Sequence, residues 1–262
     1  MNIEFRNPGY EYSIESIMLF QTDEQTPFWS DSVLFFYPQI DKNELEKRNY
    51  YEKKKYIHKV LEEVYENVKN ELDSKVIRYN DHFQNYKSQI EDALSDAFEI
   101  DSNLYFNDLK GNITMNPICP RFLQERYFDI FYLNSERGAL GLSLHEVIHY
   151  FWFYVWNKHF GDSYDEYETP SLKWILSEMV VEAIMGDERL SSINPYFPRE
   201  DGGCVYPYFF NMIINGRPVL DKINELYHRN GIVDFMEASY DYCLKNEKAI
   251  RLHIEETEKE FV

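Results

Sequence analysis

The chain has 262 residues, 46 acidic and 27 basic side chains, a formal net charge of −19, and is 44% hydrophobic and 17% aromatic. That much apolar material excludes a disordered chain, and only 10 Gly and 10 Pro exclude a collagenous or linker-rich one. The negative balance speaks against non-specific nucleic-acid or anionic-membrane binding, since both need a positive field.

In chain order, Ser32–Tyr37, apolar and followed by Pro38, predicts a strand or buried extended piece. Asp41–Ser74 predicts an amphipathic helix, with Tyr56, Val60, Val64 and Val68 recurring every four residues. A second helix is expected over about Asp81–Phe98. Leu104–Phe106, Ile113–Met115 and Tyr127–Leu133, separated by Asn, Gly and Pro, predict short strands of a small sheet. Residues 135–158 carry the most hydrophobic helical pattern. Gly161–Pro170 follows as an acidic loop with four carboxylates and no base, suited to neutral or basic substrates. Ser171 caps a further helix to about Glu188. Pro195, Pro198, Gly202 and Gly203 mark a loop. The remainder from Val205 reads as three helices broken near Gly216–Pro218 and Asn230–Gly231.

These elements predict an α+β, predominantly helical fold, with a small antiparallel sheet beside the 135–158 helix. The length suits a single domain over 1–262, with a soft boundary near 100 between a helical N-terminal part (1–100) and the rest (101–262). Met1–Pro8 has neither a basic region nor an apolar run, so no signal peptide is read. The most apolar stretch, Val147–Trp156, is about half the ~20 residues of a membrane span. Cys119, Cys204 and Cys243 are odd in number and far apart, which spells neither a disulfide framework nor a Cys-pair zinc site. A soluble, cytoplasmic protein is expected.

One motif carries chemistry. His145-Glu146-Val147-Ile148-His149 is H-E-x-x-H within the apolar helix. Two His four apart lie on one helical face, so both imidazoles reach one Zn²⁺ at about 2.0–2.1 Å. Glu146, offset by about 100°, is turned away from the ligand position but can reach a water polarised by the metal and take its proton. Two histidines around a Glu, flanked by Leu144, Val147, Ile148 and Phe151, need a reason beyond packing, because a charged group in such a helix is costly.

A catalytic zinc usually takes three protein ligands. The pattern with a Gly three residues after the second His is absent, because Trp152 stands there. His159 lies ~15 Å farther along the axis. The next helix offers Glu178 and Glu182, four apart on one face, with Trp174 one turn earlier. This pairing of H-E-x-x-H with a downstream Glu resembles the gluzincin metallopeptidases, the clan of thermolysin, neprilysin and the zinc aminopeptidases. Trp174-Ile-Leu-Ser-Glu178 is similar to the Trp-Leu-Asn-Glu segment of the aminopeptidases and implies Glu178 as ligand. Glu182-Ala-Ile is similar to the Asn-Glu-Ala-Ile-Ser-Asp of thermolysin and implies Glu182. In the clan an acid four residues after the ligand holds a ligand imidazole. Only the first register keeps such an acid, Glu182, whereas the second places Gly186 there, so Glu178 is favoured. The resemblance covers about 145–187. The Gly-x-Met-Glu-Asn stretch by which aminopeptidases hold a substrate amine is missing.

The expected function is therefore a zinc metallopeptidase acting on a peptide or protein substrate, with no nucleic-acid or membrane partner. His145, His149 and Glu178 hold Zn²⁺, Glu146 is the general base, and Glu182 orients a ligand imidazole. An oxyanion donor is sought among Tyr206, Tyr208, Tyr227 and His228, with Tyr208 and His228 foremost. The competing reading is a catalytically silent zinc-containing interaction protein of the same fold.

Overall fold

A computed structural model of the protein describes residues 1–194, 199 and 203–260. The elements run β1 (Ile3–Arg6), α1 (Tyr10–Met18), α2 (Pro27–Ser30), α3 (Ser32–Phe36), α4 (Lys42–Glu46), α5 (Tyr50–Phe98), β2 (Leu109–Thr114), β3 (Arg121–Phe122), β4 (Tyr127–Phe131), α6 (Glu136–Phe160), α7 (Leu172–Met185), α8 (Glu188–Ser191), α9 (Pro207–Phe210), β5 (Ile213–Ile214), β6 (Arg217–Pro218), α10 (Val219–Arg229) and α11 (Ile232–Glu260). Short 3-10 turns occupy Ser102–Leu104 and Tyr164–Tyr167. The predominantly helical α+β class is as expected. The H-E-x-x-H motif lies within α6. Among the described residues no helix is long and apolar enough to cross a membrane. The chain forms two compact units. One is built from Asn2–Gln84 with Asp108–Leu140, and the other from Met1, Asn85–Asn107 and Gly141–Glu260.

α5, whose residues are shared between the two units, is one continuous helix where two were expected. Nothing between Tyr50 and Phe98 is Gly or Pro, so no residue stops it. Asn49 starts it with a reciprocal cap: its Oδ1 accepts from the Glu52 amide, and the Glu52 carboxylate accepts from the Asn49 amide. The helix buries Ile57, Leu61, Leu72, Tyr79 and Phe83. The expected Tyr56–Val68 stripe is the half-buried border of that line. Phe5 of β1 packs edge-on against Tyr79 and Phe83. Asn80 pairs its amide with both backbone groups of Phe5, satisfying an open strand edge that would otherwise cost free energy.

The expected strand at Ser32–Tyr37 is instead helix α3. Val33 and Tyr37 are buried while Phe35 is 82% exposed, a period of four rather than two. Pro27 at the first turn of α2 starts this helical run. Leu104–Phe106 is likewise no strand: Asp101 accepts from the Asn103 amide to cap a 3-10 turn, and Leu104 is exposed.

The sheet order is β1-β2-β4-β3. β3–β4 is antiparallel as expected, but β1, β2 and β4 run parallel, and a separate antiparallel β5–β6 pair stands where only a break between helices was expected. Long connections make this feasible, since β1 and β2 are separated by five helices. Asp129 of β4 is fully buried. It accepts from Ser16 Oγ (2.5 Å), Tyr12 OH (2.8 Å) and Asn112 Nδ2 (3.2 Å). Burial raises its carboxyl from 3.8 to about 6, against these donors and Arg6, which favour the ionised form.

A carboxyl raised on folding destabilises the native state above its folded pKa, and this penalty is relieved as pH falls from about 6 toward 3.8. The stability of the wild type relative to Asp129→Asn should therefore rise by about 2 kcal/mol between pH 7 and pH 4.5. Urea unfolding of both proteins at the two pH values measures it, and a difference independent of pH would contradict the assignment.

Candidate metal centre

The site belongs to the second unit and is built from α6 and α7. Ser135 starts α6, its Oγ accepting from the Gly138 amide. Gly161 ends it at φ +74, where its amide reaches the Asn157 carbonyl, a left-handed stop that a side chain would strain. Between these ends the helix is apolar on nearly every face, with Leu144, Val147, Ile148, Phe151, Trp152, Phe153, Val155 and Trp156 all buried. Phe151 packs on Phe98 and Phe106, Trp152 on Phe235, and Trp156 on Tyr240, so the motif residues sit on a rigid rod.

α7 begins as expected: Ser171 Oγ accepts from the Trp174 amide at 3.0 Å and donates to the Glu166 carbonyl at 2.7 Å. α10 and α11 pack against α7. The preceding loop is not the free acidic surface the sequence suggested. Lys173 reaches back to both Asp162 and Glu166 at 2.5 Å, and Asp162 also accepts from Trp156 Nε1 at 2.6 Å. Two of the four carboxylates thus have a structural employment.

Three donor atoms converge. His145 Nε2 and His149 Nε2 are 3.1 Å apart, and Glu178 Oε2 is 3.4 Å from each. The side chains of His149 and Glu178 are 0% and 1% exposed and that of His145 16%. Glu146, 4% exposed, offers a carboxylate oxygen within 4.8 Å of the imidazole nitrogens. Charge-assisted N–H···O bonds run at about 2.7–2.9 Å, so the two 3.4 Å separations are long for direct bonds. A tetrahedral ion about 2.0–2.1 Å from its ligands sets them about 3.3–3.4 Å apart; the two edges to Glu178 have that length and the edge between the imidazoles is 3.1 Å. The donor chemistry, two imidazoles and a carboxylate, is also that of zinc.

The His145 tautomer follows from its other nitrogen. Nδ1 lies 3.0 Å from the Cys204 carbonyl. A carbonyl only accepts, so Nδ1 carries the proton and Nε2 of neutral His145 presents a lone pair to the triangle. The Cys204 thiol itself is an inert neighbour: burial first and the Glu182 charge second push it up to about 12.

The remaining expectations fare differently. Tyr208 is buried and its ring stacks on Tyr206, which in turn lies against Trp174. Burial, then Tyr206, then the Glu178 charge hold its hydroxyl above the usual phenol range, so it stays a donor. His228 is exposed in the last turn of α10 and packs on Tyr227. The Tyr227 hydroxyl in turn donates to Asp187 and accepts from Arg189. Glu182, implied by the resemblance to orient an imidazole, has its carboxylate gripped by Arg199 through Nε (2.9 Å to each oxygen) and Nη2. Sequence reasoning missed Arg199 and the Cys204 carbonyl. The first stands in a Pro- and Gly-bounded loop without periodicity, and the second is a backbone group that no side-chain motif encodes. Pro195, Pro198 and Gly202 of that loop lie outside the described residues.

Comparison with known protein families, curated proteins and solved structures returned no match. What the site can do rests on its own geometry.

Gly203, next to Cys204, has φ +60, and a Cβ there would stand 2.5 Å from the Phe210 ring. Gly203→Ala should cost about 1–3 kcal/mol from strain and crowding. Guanidinium unfolding in the presence of a chelator checks this, and an unchanged midpoint would show that the segment tolerates a side chain.

Proposed function

We propose that the chain is a zinc-dependent hydrolase, a metallopeptidase of gluzincin type, with His145, His149 and Glu178 as the metal ligands. The observation that carries the reading is the triangle of His145 Nε2, His149 Nε2 and Glu178 Oε2 with edges of 3.1, 3.4 and 3.4 Å. It favours Glu178 over Glu182 as the third ligand, because the Glu182 carboxylate is occupied by Arg199.

When bound, zinc supplies an electrophile that acidifies water and polarises a carbonyl. The residues supply the rest. The Cys204 carbonyl holds the His145 proton at Nδ1, so in the neutral ring Nε2 is the nitrogen that offers its lone pair. Glu146, beside both imidazoles, takes the proton of the attacking water at its carboxylate and returns it to the leaving amine. The Tyr208 hydroxyl, kept protonated by burial and the Glu178 charge, donates to the developing oxyanion. The substrate is a peptide or protein; with a net charge of −19 the chain repels nucleic acid and anionic membrane.

The burial of the cluster favours a second reading, a zinc-containing protein without catalysis, since His149, Glu178 and Glu146 leave a substrate little exposed surface to meet. One variant, compared with the wild type, separates the two. Glu146→Gln should keep about one zinc per chain by elemental analysis while lowering cleavage of unstructured proteins at least 100-fold. Equal and negligible cleavage by wild type and variant would leave the silent reading standing.

The ligand assignment has its own check. Zinc at about 100 times its dissociation constant should stabilise the wild type by about 2.7 kcal/mol. Glu178→Ala should lose that gain, read as a zinc-dependent shift in thermal unfolding. A full zinc-dependent shift in Glu178→Ala would remove Glu178 from the ligand set.

A further inference from the structure

Arg199 plays no part in holding metal, yet it is among the most firmly bound side chains of the unit. Its Nε lies 2.9 Å from each oxygen of Glu182, its Nη2 lies 2.5 Å from Oε1, and its Nη1 donates to Asp221 of α10 at 2.8 Å. The Glu182 side chain is only 9% exposed. A forked guanidinium on a buried carboxylate fixes position and orientation together, which a lysine would not do.

Both ends of this contact lead to the metal cluster. Glu182 stands one turn beyond Glu178 on α7, so whatever Glu182 holds is held rigidly with respect to Glu178. Arg199 stands five positions before Cys204, and five residues span at most about 17 Å. The charges of Glu182 and Arg199 are both felt at Cys204, so the clamp lies beside the residue whose carbonyl meets His145. That carbonyl is 3.0 Å from His145 Nδ1. The resemblance to gluzincins led us to expect a side-chain acid on a ligand imidazole, but here the acid grips an arginine and a backbone carbonyl takes its place.

We propose that Arg199 is a positioning residue: by clamping Glu182 it holds the Cys204 carbonyl against His145 Nδ1 and so keeps the Nε2 lone pair aimed at the metal. The proposal rests on the zinc reading above. Partners that orient a ligand imidazole are worth about 10–100-fold in metal affinity, and the clamp acts one step behind such a partner.

The test is zinc affinity by competition with a chromophoric chelator, together with the His145 Nδ1–H proton resonance in the zinc-loaded protein. Arg199→Ala should weaken zinc binding about 10–100-fold and expose the Nδ1–H to rapid solvent exchange. Arg199→Ala combined with Glu182→Gln should behave the same way, showing that the loss does not come from a stranded buried carboxylate. Asp221→Asn, which removes only the outer contact, should stay within about threefold of wild type. If Arg199→Ala does not fold, Arg199→Gln, similar in reach but unable to fork, carries both readings. Affinity within twofold of wild type in Arg199→Ala, or an unchanged Nδ1–H resonance, overturns the proposal while leaving the zinc reading intact. A wild-type chain that takes up no zinc overturns both.

Discussion

A carboxylate with 1% of its side chain exposed cannot stay ionised among apolar neighbours unless positive charge or donors stand beside it. Glu178 is such a group, and the arrangement of α6, α7 and the Gly203–Phe210 segment follows from how it is accommodated. It faces two imidazole nitrogens at equal distance rather than one closely. An ion pair alone would draw one imidazole in. Equal spacing from two imidazole nitrogens is a geometry that a shared cation between the three groups would satisfy. The burial that makes Glu178 expensive in the free chain is what strengthens its hold on such a cation, since the same low polarity magnifies both.

That balance holds only if the two helices keep their relative placement, and the local chemistry serves that end. Ser171 fixes the first turn of α7, Gly161 lets α6 stop, and Lys173 ties the intervening loop through Asp162 and Glu166. At the far end of α7, Asp187 is held by Arg189 and Tyr227. Its carboxyl is pulled down to about 2, chiefly by the Arg189 hydrogen bond. A lowered carboxyl contributes stability above its unfolded value of 3.8, lost as pH falls toward 2. Asp129, in the other compact unit, has the opposite sign in the adjoining window: acid stabilises through Asp129 from about pH 6 to 3.8 and destabilises through Asp187 from about pH 3.8 to 2.

Much of this could be read from residues alone where side chains carry the information. The H-E-x-x-H spacing, the Ser171 cap and the breaks at Gly216–Pro218 and Asn230–Gly231 each have a local physical cause, and each appears in the structure. Three features had no local signature. Strand direction in β1, β2 and β4 depends on crossovers rather than on the strands. The helix at Ser32–Phe36 is settled by burying Val33 and Tyr37 on one side, a choice made by its neighbours. The partner of His145 is a carbonyl, identical in every residue, and only the fold of a distant loop brings it there. Arg199 is a middle case: its charge is visible in the sequence, but the buried acid it meets is seventeen positions away on an apolar helix.

The two glutamates of α7 show how helix geometry assigns roles to like residues. Residues four apart share a stripe but differ by about 6 Å along the axis. An ion about 2.0–2.2 Å from one carboxylate therefore leaves the other without it. The second acid must find separate compensation or remain in water. Glu182 finds Arg199, and because its side chain is nearly as buried as that of Glu178, the arginine is drawn in with it. Two carboxylates buried one turn apart thus need two separate partners, and the second pair, Glu182 with Arg199, lies close to Cys204, whose carbonyl meets His145 Nδ1. The cluster and the clamp are neighbours because the helix repeat places them so, which is why a change at Arg199 should be felt at an imidazole it does not touch.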